Sequence, residues 1–420
     1  MTLLGQWYDI RDLSELVAGL TGWLRDTFDA GDGVIYVVSA LLGAVGILSF
    51  IGATAIVNIW IERRLVGRMQ NRLGPNRVGP FGLLQPVADA IKLIQKEALM
   101  PRVADPIVFT LAPILVFVPA ILAWAVLPWG ERMTLASLDA GVLYFVALGT
   151  VAVLAVFMAG WSSNNKFSLL GAMRVVPMLL SYEIPIVLAF LGPVLLAGTM
   201  NLSGIARWQA DYHVWIIFLQ PLTFLIYFIA ASAELNRTPA DIAEAESEIL
   251  AGYHTEYSGM KFGLFYAVEL VNALLVSGLA ASMWYGGWYL FEIDRVLPGW
   301  LVFIGKMYAL YFLLIWTRGT LPRLRIDQLV ALSWKFMTPL ALANVVLVSA
   351  EVVIWAETGV SAGVILPLSA VVNVTLTGVL LVAWLRFMLG KVERLPRRPR
   401  LYREVVVPPI AAPEQAAARP

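Results

Sequence analysis

The chain has 420 residues, of which 60% are hydrophobic and only 14% are charged, and its formal net charge is +1. This composition excludes an ordinary soluble globular protein, and the balanced charge gives no reason to expect a nucleic-acid partner. The absence of cysteine excludes disulfides, thiolate metal sites and cysteine-ligated iron–sulfur clusters within the chain itself.

Apolar runs of about 20 residues recur along the sequence. A helix rises about 1.5 Å per residue and has to cross about 30 Å of hydrocarbon, so each run predicts a membrane span. The alternation typical of membrane strands is absent. We therefore predict an all-α polytopic membrane protein with about nine transmembrane helices. The predicted spans are residues 34–60, 107–127, 141–160, 175–197, 214–233, 262–285, 299–317, 337–356 and 363–388.

Lysine and arginine are distributed unequally between the two sides of this topology. One set of alternating connections, together with the chain after residue 385, carries 24 of the 30 cations, whereas the other set carries five. The positive-inside rule then predicts the N-terminus outside and the C-terminus in the cytoplasm. An odd number of spans also requires the two ends to lie on opposite sides.

The segments around the spans differ in character. Residues 1–33 are expected to form an interfacial segment on the outer side, and residues 34–390 form the transmembrane domain. Residues 391–420 are basic and then Pro/Ala-rich, which is typical of a tail held by anionic lipid or a partner. The predicted cytoplasmic loops are residues 61–106, 161–174, 234–261 and 318–335.

The longest internal loop contains "GLLQPVADAIKLIQKEAL", whose apolar residues recur at helical spacing. This pattern predicts an amphipathic helix on the cytoplasmic face. Gly74, Pro75, Gly79 and Pro80 in "GPNRVGP" mark the turn before it.

The stretch "AELNRTPADIAEAESEILAGYHTEYSGM" gathers six carboxylates within 23 residues, with Arg237 as the only cation among them. Thr238 and Pro239 predict a helix start, with a hydroxyl N-cap followed by Pro at the first helical position. Glu246 would project from that helix on its apolar side, where lost hydration favours the protonated form. It is therefore expected to exchange protons, or else to reach solvent or pair with Arg237. The six are Glu234, Asp241, Glu244, Glu246, Glu248 and Glu256.

Ionisable residues also fall inside the predicted spans. Glu183 and Glu269 each lie about eight residues, or roughly 12 Å, from a cytoplasmic end, and Glu234 closes a third span. A charge at that depth costs several kcal/mol unless it is paired or hydrated, so these acids predict a path for protons. Lys306 lies near the outer end of its span, where it would extend outward or pair with a buried carboxylate.

Two basic clusters are expected on the same side as these acids. We predict that both are interaction surfaces for a protein partner or for the polar head of a ligand. The clusters are "ERRLVGRMQNR", with Arg63, Arg64, Arg68 and Arg72, and "WTRGTLPRLRIDQL", with Arg318, Arg323 and Arg325.

Taken together and in this order, these segments resemble the NADH dehydrogenase subunit 1 family, which includes the H subunit of bacterial NADH:quinone oxidoreductase, respiratory complex I. The resemblance covers roughly residues 34–390 and every long predicted cytoplasmic loop. The matching stretches are "ERRLVGRMQNRLGPNRVGPFGLLQPVADAIKLIQKE", "GWSSNNKFSLLGAMR", "SYE", "AELNRTPADIAEAESEILAGYHTEYSGMKF" and "WTRGTLPRLRIDQLVALSWK".

The resemblance implies that the chain forms the membrane end of a quinone-binding chamber and an acidic channel that couples quinone reduction to proton pumping. The residues that match chamber motifs are Glu62, Arg63, Gln70, Arg72, Asp89, Arg237, Tyr257, Arg318, Arg323 and Arg325. The residues that match proton-coupling positions are Glu183, Glu234, Asp241, Glu244, Glu246, Glu248, Glu256, Glu269 and Lys306. No metal site is implied.

The resemblance also implies cofactors and partners outside the chain. Quinone, either ubiquinone or menaquinone, would be the substrate, whereas NADH, FMN and iron–sulfur clusters would belong to partner subunits. The chain would be a non-redox subunit without catalytic activity of its own. Its partners would be the peripheral quinone-module subunits near the terminal iron–sulfur cluster, small membrane subunits leading to antiporter-like subunits, and lipids. Its location would be the bacterial plasma membrane.

The chain departs from the family pattern at His254, where "GYHTEY" replaces "GFNTEY". An imidazole that titrates beside Glu256 would alter the local pH dependence. Three other interpretations stay open: the membrane subunit of a related proton-linked hydrogenase, a stand-alone cation/proton antiporter, and a structural anchor whose acids are passive. The lack of an internal inverted repeat disfavours the antiporter.

Overall fold

The structure is a computed structural model that describes residues 31–242, 251–291 and 297–394, and residues 19, 22 and 25. The described part of the chain contains helices and no strand, which confirms the all-α class. The helices are α1 (Asp32–Met69), α2 (Gln85–Gln95), α3 (Pro106–Leu122), α4 (Gly141–Ser162), α5 (Lys166–Ala197), α6 (Leu202–Asp211), α7 (Ile216–Leu219), α8 (Pro221–Glu234), α9 (Gly259–Trp284), α10 (Gly299–Thr320), α11 (Ile326–Leu332), α12 (Thr338–Thr358) and α13 (Ala362–Arg394).

The chain divides into two units, residues 1–374 and 375–420. The second unit is described only where it forms the end of α13. The predicted interfacial segment, residues 1–33, and the predicted tail, residues 391–420, lie almost entirely outside the described residues.

Eight helical segments in the described part of the chain are long and apolar enough to cross a membrane. The protein is therefore a multi-pass membrane protein. The remaining predicted span, residues 214–233, is divided into α7 and α8 at Gln220, whose φ and ψ are −137° and 61°. Pro221 follows and has no backbone N–H to continue the helical hydrogen bonds. The side-chain amide of Gln220 instead donates to the Gly192 carbonyl at 3.3 Å.

Several helices extend beyond their predicted ends, so the loops are shorter than predicted. α1 continues to Met69, because no glycine-rich turn or proline interrupts the sequence before Gly74 and Pro75. Glu62 and Arg63 therefore lie on the last turns of a membrane helix. α5 already begins at Lys166, since the Asn165 side chain caps it by accepting from the Phe167 N–H at 2.9 Å.

α9 is the centre of the bundle. In its most apolar stretch 72% of residues are buried, whereas the corresponding value for α1 is 6%. α9 packs against α3 and α10, while α5 packs against α4, α8 and α12. The apolar exposed face of α1 is of the kind that hydrocarbon or a membrane partner covers.

One end of the bundle, here called the loop face, brings four connecting segments together. The Leu99 N–H donates to the Ser258 hydroxyl at 2.9 Å, and the Leu324 N–H donates to the Pro239 carbonyl at 2.9 Å. The Asn165 amide donates to Glu256 at 2.5 Å. The basic and acidic segments of the sequence are therefore neighbours on one face of the fold.

Lys306 lies at the opposite end, here called the far face. Its ammonium group donates to the carbonyls of Tyr285 at 2.6 Å, Gly287 at 3.0 Å and Tyr289, and lies 4.8 Å from the centre of the Trp215 ring. These contacts hold the turn after α9 against α10. Three carbonyls and an aromatic face suit a cation, which explains how α10 holds a lysine at this depth.

We expect Lys306→Met to lower the free energy of unfolding by about 2 kcal/mol, because the variant leaves carbonyls without a charged donor. Thermal unfolding of the purified protein in mild detergent measures the loss. Lys261→Met is the matched control, since Lys261 donates to a single exposed hydroxyl, that of Thr110. Equal stability of the two variants would contradict the role of the carbonyls.

Candidate functional site

A buried cluster of opposite charges lies at the loop face. Glu62 on α1 accepts hydrogen bonds from Arg237, which follows α8, at 3.1 Å, from the Tyr311 hydroxyl at 3.1 Å, and from Arg318. Arg237 is 1% exposed and Glu62 is 7% exposed. Three elements far apart in sequence therefore meet on one carboxylate.

Glu269 on α9 is the second carboxylate of this cluster. It lies 3.8 Å from Arg237 and 3.8 Å from Arg318. Two guanidinium groups thus face two carboxylates, and the guanidinium of Arg237 also lies 5.7 Å from the centre of the Tyr311 ring. Burial of single charges would be costly, so the near balance of charge is what permits the cluster. Glu62, Arg237, Glu269, Tyr311 and Arg318 are called the charge cluster below.

Asp89 fixes the amphipathic helix α2 beside this cluster. It accepts from Arg63 on α1 at 2.6 Å and from Gln85 at 3.2 Å, and Lys92 lies 3.7 Å away. Partial burial opposes ionisation of Asp89. The hydrogen bonds from Arg63 and Gln85 and the nearby positive charges outweigh it and hold the pKa of Asp89 below its usual value.

Two further carboxylates lie deeper in the bundle, where α4, α5 and α8 meet. Glu183 on α5 accepts a hydrogen bond from the hydroxyl of Thr150 on α4. The charge of Glu183 acts on Glu234, the last residue of α8. One oxygen of Glu234 lies 3.3 Å from the position that a Cβ would take at Gly149. Glu183 and Glu234 are therefore neighbours along one short segment of α4.

A cavity of about 120 Å³ is lined by one acid of this pair, Glu234, and by one acid of the charge cluster, Glu269. Glu234 and Glu269 both line it, as do apolar side chains of α3, α4 and α9. The remaining polar lining residues are Asn236, Tyr253, His254, Tyr266 and Asn272. The predicted intramembrane acids are thus arranged from the loop face to α4 and α5, with a partly polar space between them.

Glu256 and Tyr257 hold the loop face together. Glu256 accepts from the amide of Asn165. The Tyr257 ring stacks on Phe109 at 4.0 Å, and its hydroxyl donates to the Phe109 carbonyl at 3.1 Å. Burial raises the pKa of Tyr257 to about 12, so its hydroxyl stays protonated at physiological pH. In the structure both residues make packing contacts outside the charge cluster.

Four predicted chamber residues lie at the exposed edge of the loop face. Arg72 donates to Gln70 at 2.7 Å, and both residues are exposed. Arg323 and Arg325 are also exposed and flank Leu324, whose N–H anchors the loop to Pro239. The structure does not bring these four into the charge cluster, and their side chains are exposed.

The predicted helix start at Thr238–Pro239 is wrong. The Thr238–Pro239 peptide is cis, and residues 238–240 form turns in which the Ala240 N–H donates to the Arg237 carbonyl at 2.8 Å. Asp241 therefore lies outside a helix, with one buried oxygen that has no partner among the described residues. The predicted proton-coupling residues Glu244, Glu246 and Glu248 lie outside the described residues.

The suggestion of a titrating imidazole at His254 is also wrong. His254 is 8% exposed and contacts the rings of Tyr253 and Phe262 at 4.9 and 5.3 Å. This burial lowers the pKa of His254 to about 4. The imidazole is consequently neutral at physiological pH, because the charged form would lose its hydration.

Lys306, predicted to take part in proton coupling, lies at the far face in its carbonyl site.

Sequence reasoning missed Tyr311, Thr150, Asn236 and Asn272. Two of them had a signal. Tyr311 precedes Arg318 by seven residues and Asn272 follows Glu269 by three, and both spacings place the pair on one side of a helix. No sequence signal pointed to Thr150 or Asn236, because only the packing of the helices brings the Thr150 hydroxyl and the Asn236 amide close to the acids. Among the described residues no group of three or more histidines or acids is arranged to hold a metal ion.

The fold and this site define a polytopic membrane protein that buries acids and arginines beneath a loop face. The family described as NADH dehydrogenase matches residues 42–349, and the chain belongs to that family. The family resemblance is thereby confirmed.

Relatives in three bacteria carry the name of one component, the H subunit of NADH-quinone oxidoreductase. The chain is 50% identical over 317 residues to the relative in Dehalococcoides mccartyi strain CBDB1, an alignment that covers 76% of this chain and 88% of the relative. It is 48% identical over 305 residues to the relative in Carboxydothermus hydrogenoformans, with 73% and 87% covered. It is 46% identical over 314 residues to a relative in Geobacter metallireducens, with 72% and 94% covered.

We expect Arg237→Gln to lower the free energy of unfolding by about 3 kcal/mol, because Glu62 then loses a buried partner. The double variant Glu62→Gln/Arg237→Gln should be more stable than the sum of the two single changes predicts. Denaturant titration in detergent measures all three variants. Arg63→Gln is the control, since its ion pair with Asp89 is partly exposed and is worth about 1 kcal/mol or less. Additive losses would show that the two buried charges do not stabilise each other.

The depressed pKa of Asp89 predicts pH-dependent docking of α2. When the folded-state pKa of a carboxyl lies below its usual, unfolded-state pKa, the carboxylate stabilises the fold fully at pH values above the unfolded-state pKa. This stabilisation is lost as the pH falls through the folded-state pKa. Hydrogen exchange of α2, corrected for intrinsic rates, should therefore be slower at pH 6 than below about pH 4. Asp89→Asn should remove most of the difference. An unchanged difference in that variant would assign the effect to another group.

Proposed function

We propose that this chain is the H subunit of a proton-translocating NADH-quinone oxidoreductase. In this role it forms the membrane end of the quinone-binding chamber and an acidic channel that couples quinone reduction to proton pumping. Membership of the NADH dehydrogenase family and the names of the relatives support the assignment. The observation that carries the mechanism is the cavity shared by Glu234 and Glu269, because it lies between one acid of the deeper pair and one acid of the buried charge cluster.

Quinone reduction requires two electrons and two protons. The chain has no cysteine for iron–sulfur ligation, so the electrons would come from clusters in a partner subunit, with NADH and FMN further upstream. The chain's own contribution would be electrostatic. A change of charge above the loop face acts strongly on Glu62 and Glu269, because the site is poorly hydrated and charge interactions there are weakly screened.

The proposed path begins in the charge cluster. A change in the pairing of Arg237 or Arg318 would alter the proton affinity of Glu269, and the cavity would transmit the proton to Glu234. We propose that Glu244, Glu246 and Glu248, which lie outside the described residues, respond to the same change of charge.

The path would leave the chain at the surface formed by α4 and α5. Glu183 is partly exposed, and Thr150, which donates to it, is exposed. An exposed hydrogen-bonded acid in a membrane helix is suited to contact a neighbouring membrane protein. We assign this surface to the small membrane subunits that lead to antiporter-like subunits.

The loop face would meet the peripheral subunits. Gln70, Arg72, Arg323 and Arg325 are exposed there and match the positions that the sequence predicts for the chamber rim. The excess of cations on this side supports a cytoplasmic loop face, and the N-terminus would then lie outside in a bacterial plasma membrane.

The alternatives account for fewer observations. A stand-alone antiporter would not need exposed basic loops suited to docking. The membrane component of a proton-linked hydrogenase would share the helix bundle, but the relatives that match about three quarters of the chain carry the quinone oxidoreductase name. If the chain were a passive anchor, replacing its acids by neutral residues would leave turnover unchanged, and this expectation can be tested directly.

We expect Glu183→Gln and Glu246→Gln each to lower coupled NADH:quinone turnover about tenfold or more while the amount of assembled complex stays normal. Quinone reductase activity and proton pumping are measured in membrane vesicles, and assembly is measured on native gels. Glu357→Gln is the matched control, because Glu357 is an exposed acid at the far end of α12.

Normal turnover and pumping in both variants would mean that these acids only cap and hold the structure. Reduced turnover in Glu357→Gln as well would show that loss of charge, wherever it lies, perturbs the assembly.

A further inference from the structure

Three buried polar atoms without a hydrogen-bond partner among the described residues belong to residues that line the same cavity. They are Nδ1 of His254, Oδ1 of Asn236 and Oδ1 of Asn272. They come from three different parts of the fold: the turn before α9, the turn after α8, and α9 itself. Their presence around one space is therefore not a consequence of sequence proximity.

Water is the ligand that fits this space. Buried polar atoms are rarely left without a partner, and polar cavities with enough room usually hold ordered water. About 120 Å³ accommodates several water molecules, each of which needs two to four polar partners. Glu234, Glu269 and the polar side chains of His254, Asn236 and Asn272 line the space and supply such partners.

We propose that His254 is a positioning residue of this cavity: it acts as a neutral hydrogen-bonding group that, with Asn236 and Asn272, orders water between Glu234 and Glu269. This inference rests on the proposed function, since it concerns the same acidic channel. It assigns to the imidazole a role in orienting water, without a change in its own charge.

The surroundings of His254 suit this role. Tyr253 and Phe262 enclose the ring, so its charged form would be poorly hydrated, and burial lowers its pKa to about 4. A neutral imidazole has one nitrogen that donates and one that accepts. It can therefore accept from one water and donate to another. The titratable groups that share the cavity are Glu234, Glu269 and the phenols of Tyr253 and Tyr266.

The proton transfer balances without a redox partner. One carboxylic acid releases a proton to the adjacent water, each water passes on one of its own protons, and the other carboxylate accepts the last one. All waters end neutral, and His254 keeps one proton throughout. The charge moved is one proton from one carboxyl group to the other.

The test compares His254→Leu with His254→Asn in membrane vesicles that contain the assembled complex. We expect His254→Leu to lower coupled turnover roughly tenfold, because one buried hydrogen-bonding partner of the water is lost. The KM for quinone and the amount of complex should not change. His254→Asn should recover most of the lost turnover, since an amide also has a donor and an acceptor. His213→Leu is the matched control, because it removes the exposed histidine of the far face.

The pH profile separates positioning from acid–base catalysis. If His254 stays neutral, the profile of turnover between about pH 6 and 8 has the same shape in the unchanged protein and in His254→Asn. Loss of a limb of the profile in His254→Asn would overturn the proposal, because the imidazole would then titrate during turnover.

Other outcomes also test the proposed role of His254. Normal turnover in His254→Leu would overturn the proposal, as would equal losses in the Leu and Asn variants. If His254→Leu does not assemble, Asn272→Leu replaces it, with Asn272→Gln as the conservative partner and the same expectations. Glu234→Gln distinguishes failure of the proposed acidic channel from failure of the proposed role of His254. Normal turnover in Glu234→Gln refutes the acidic channel itself, whereas a loss there with normal His254→Leu refutes only the role of His254.

Discussion

The buried guanidinium of Arg237 is the constraint on which the loop face depends. A charge that is 1% exposed needs carboxylates beside it, and Glu62 and Glu269 supply them from α1 and α9. Arg318 then balances the second carboxylate and brings α10 to the same point. The cluster thus links three membrane helices to the segment that follows α8.

The acids deeper in the bundle also depend on neighbouring groups that make their burial possible. Glu234 lies at the end of α8, whose short length results from the break at Gln220 and Pro221. Glycine at position 149 leaves space for the Glu234 carboxylate beside α4. Glu234 and Glu269 line the same cavity, and polar atoms form part of the surface of that cavity. Acids that would be costly alone are stabilised by hydrogen-bonding and ionic partners and by space for water.

Much of this arrangement could be predicted from the sequence. The apolar runs predicted the all-α membrane class, and the motifs predicted the family. Glu62, Arg237, Glu269 and Arg318 were all among the predicted site residues, although no pattern showed that they contact one another. The helix start at Thr238 was wrong because a local capping signal is weak beside the tertiary contacts of Arg237 and Pro239. His254 was misjudged because the sequence does not show that two aromatic rings bury it.

The sequence by itself determined the membrane class, the number of apolar segments and the kinds of charge available, because hydropathy and composition act locally along the chain. Only the tertiary structure decided which charges are paired, that Lys306 is held by carbonyls at the far face, and that His254, Asn236 and Asn272 line one cavity. The physical reason is that the energy of a charge or polar group depends on its burial and its partners. In this bundle those partners come from helices that are far apart in the sequence.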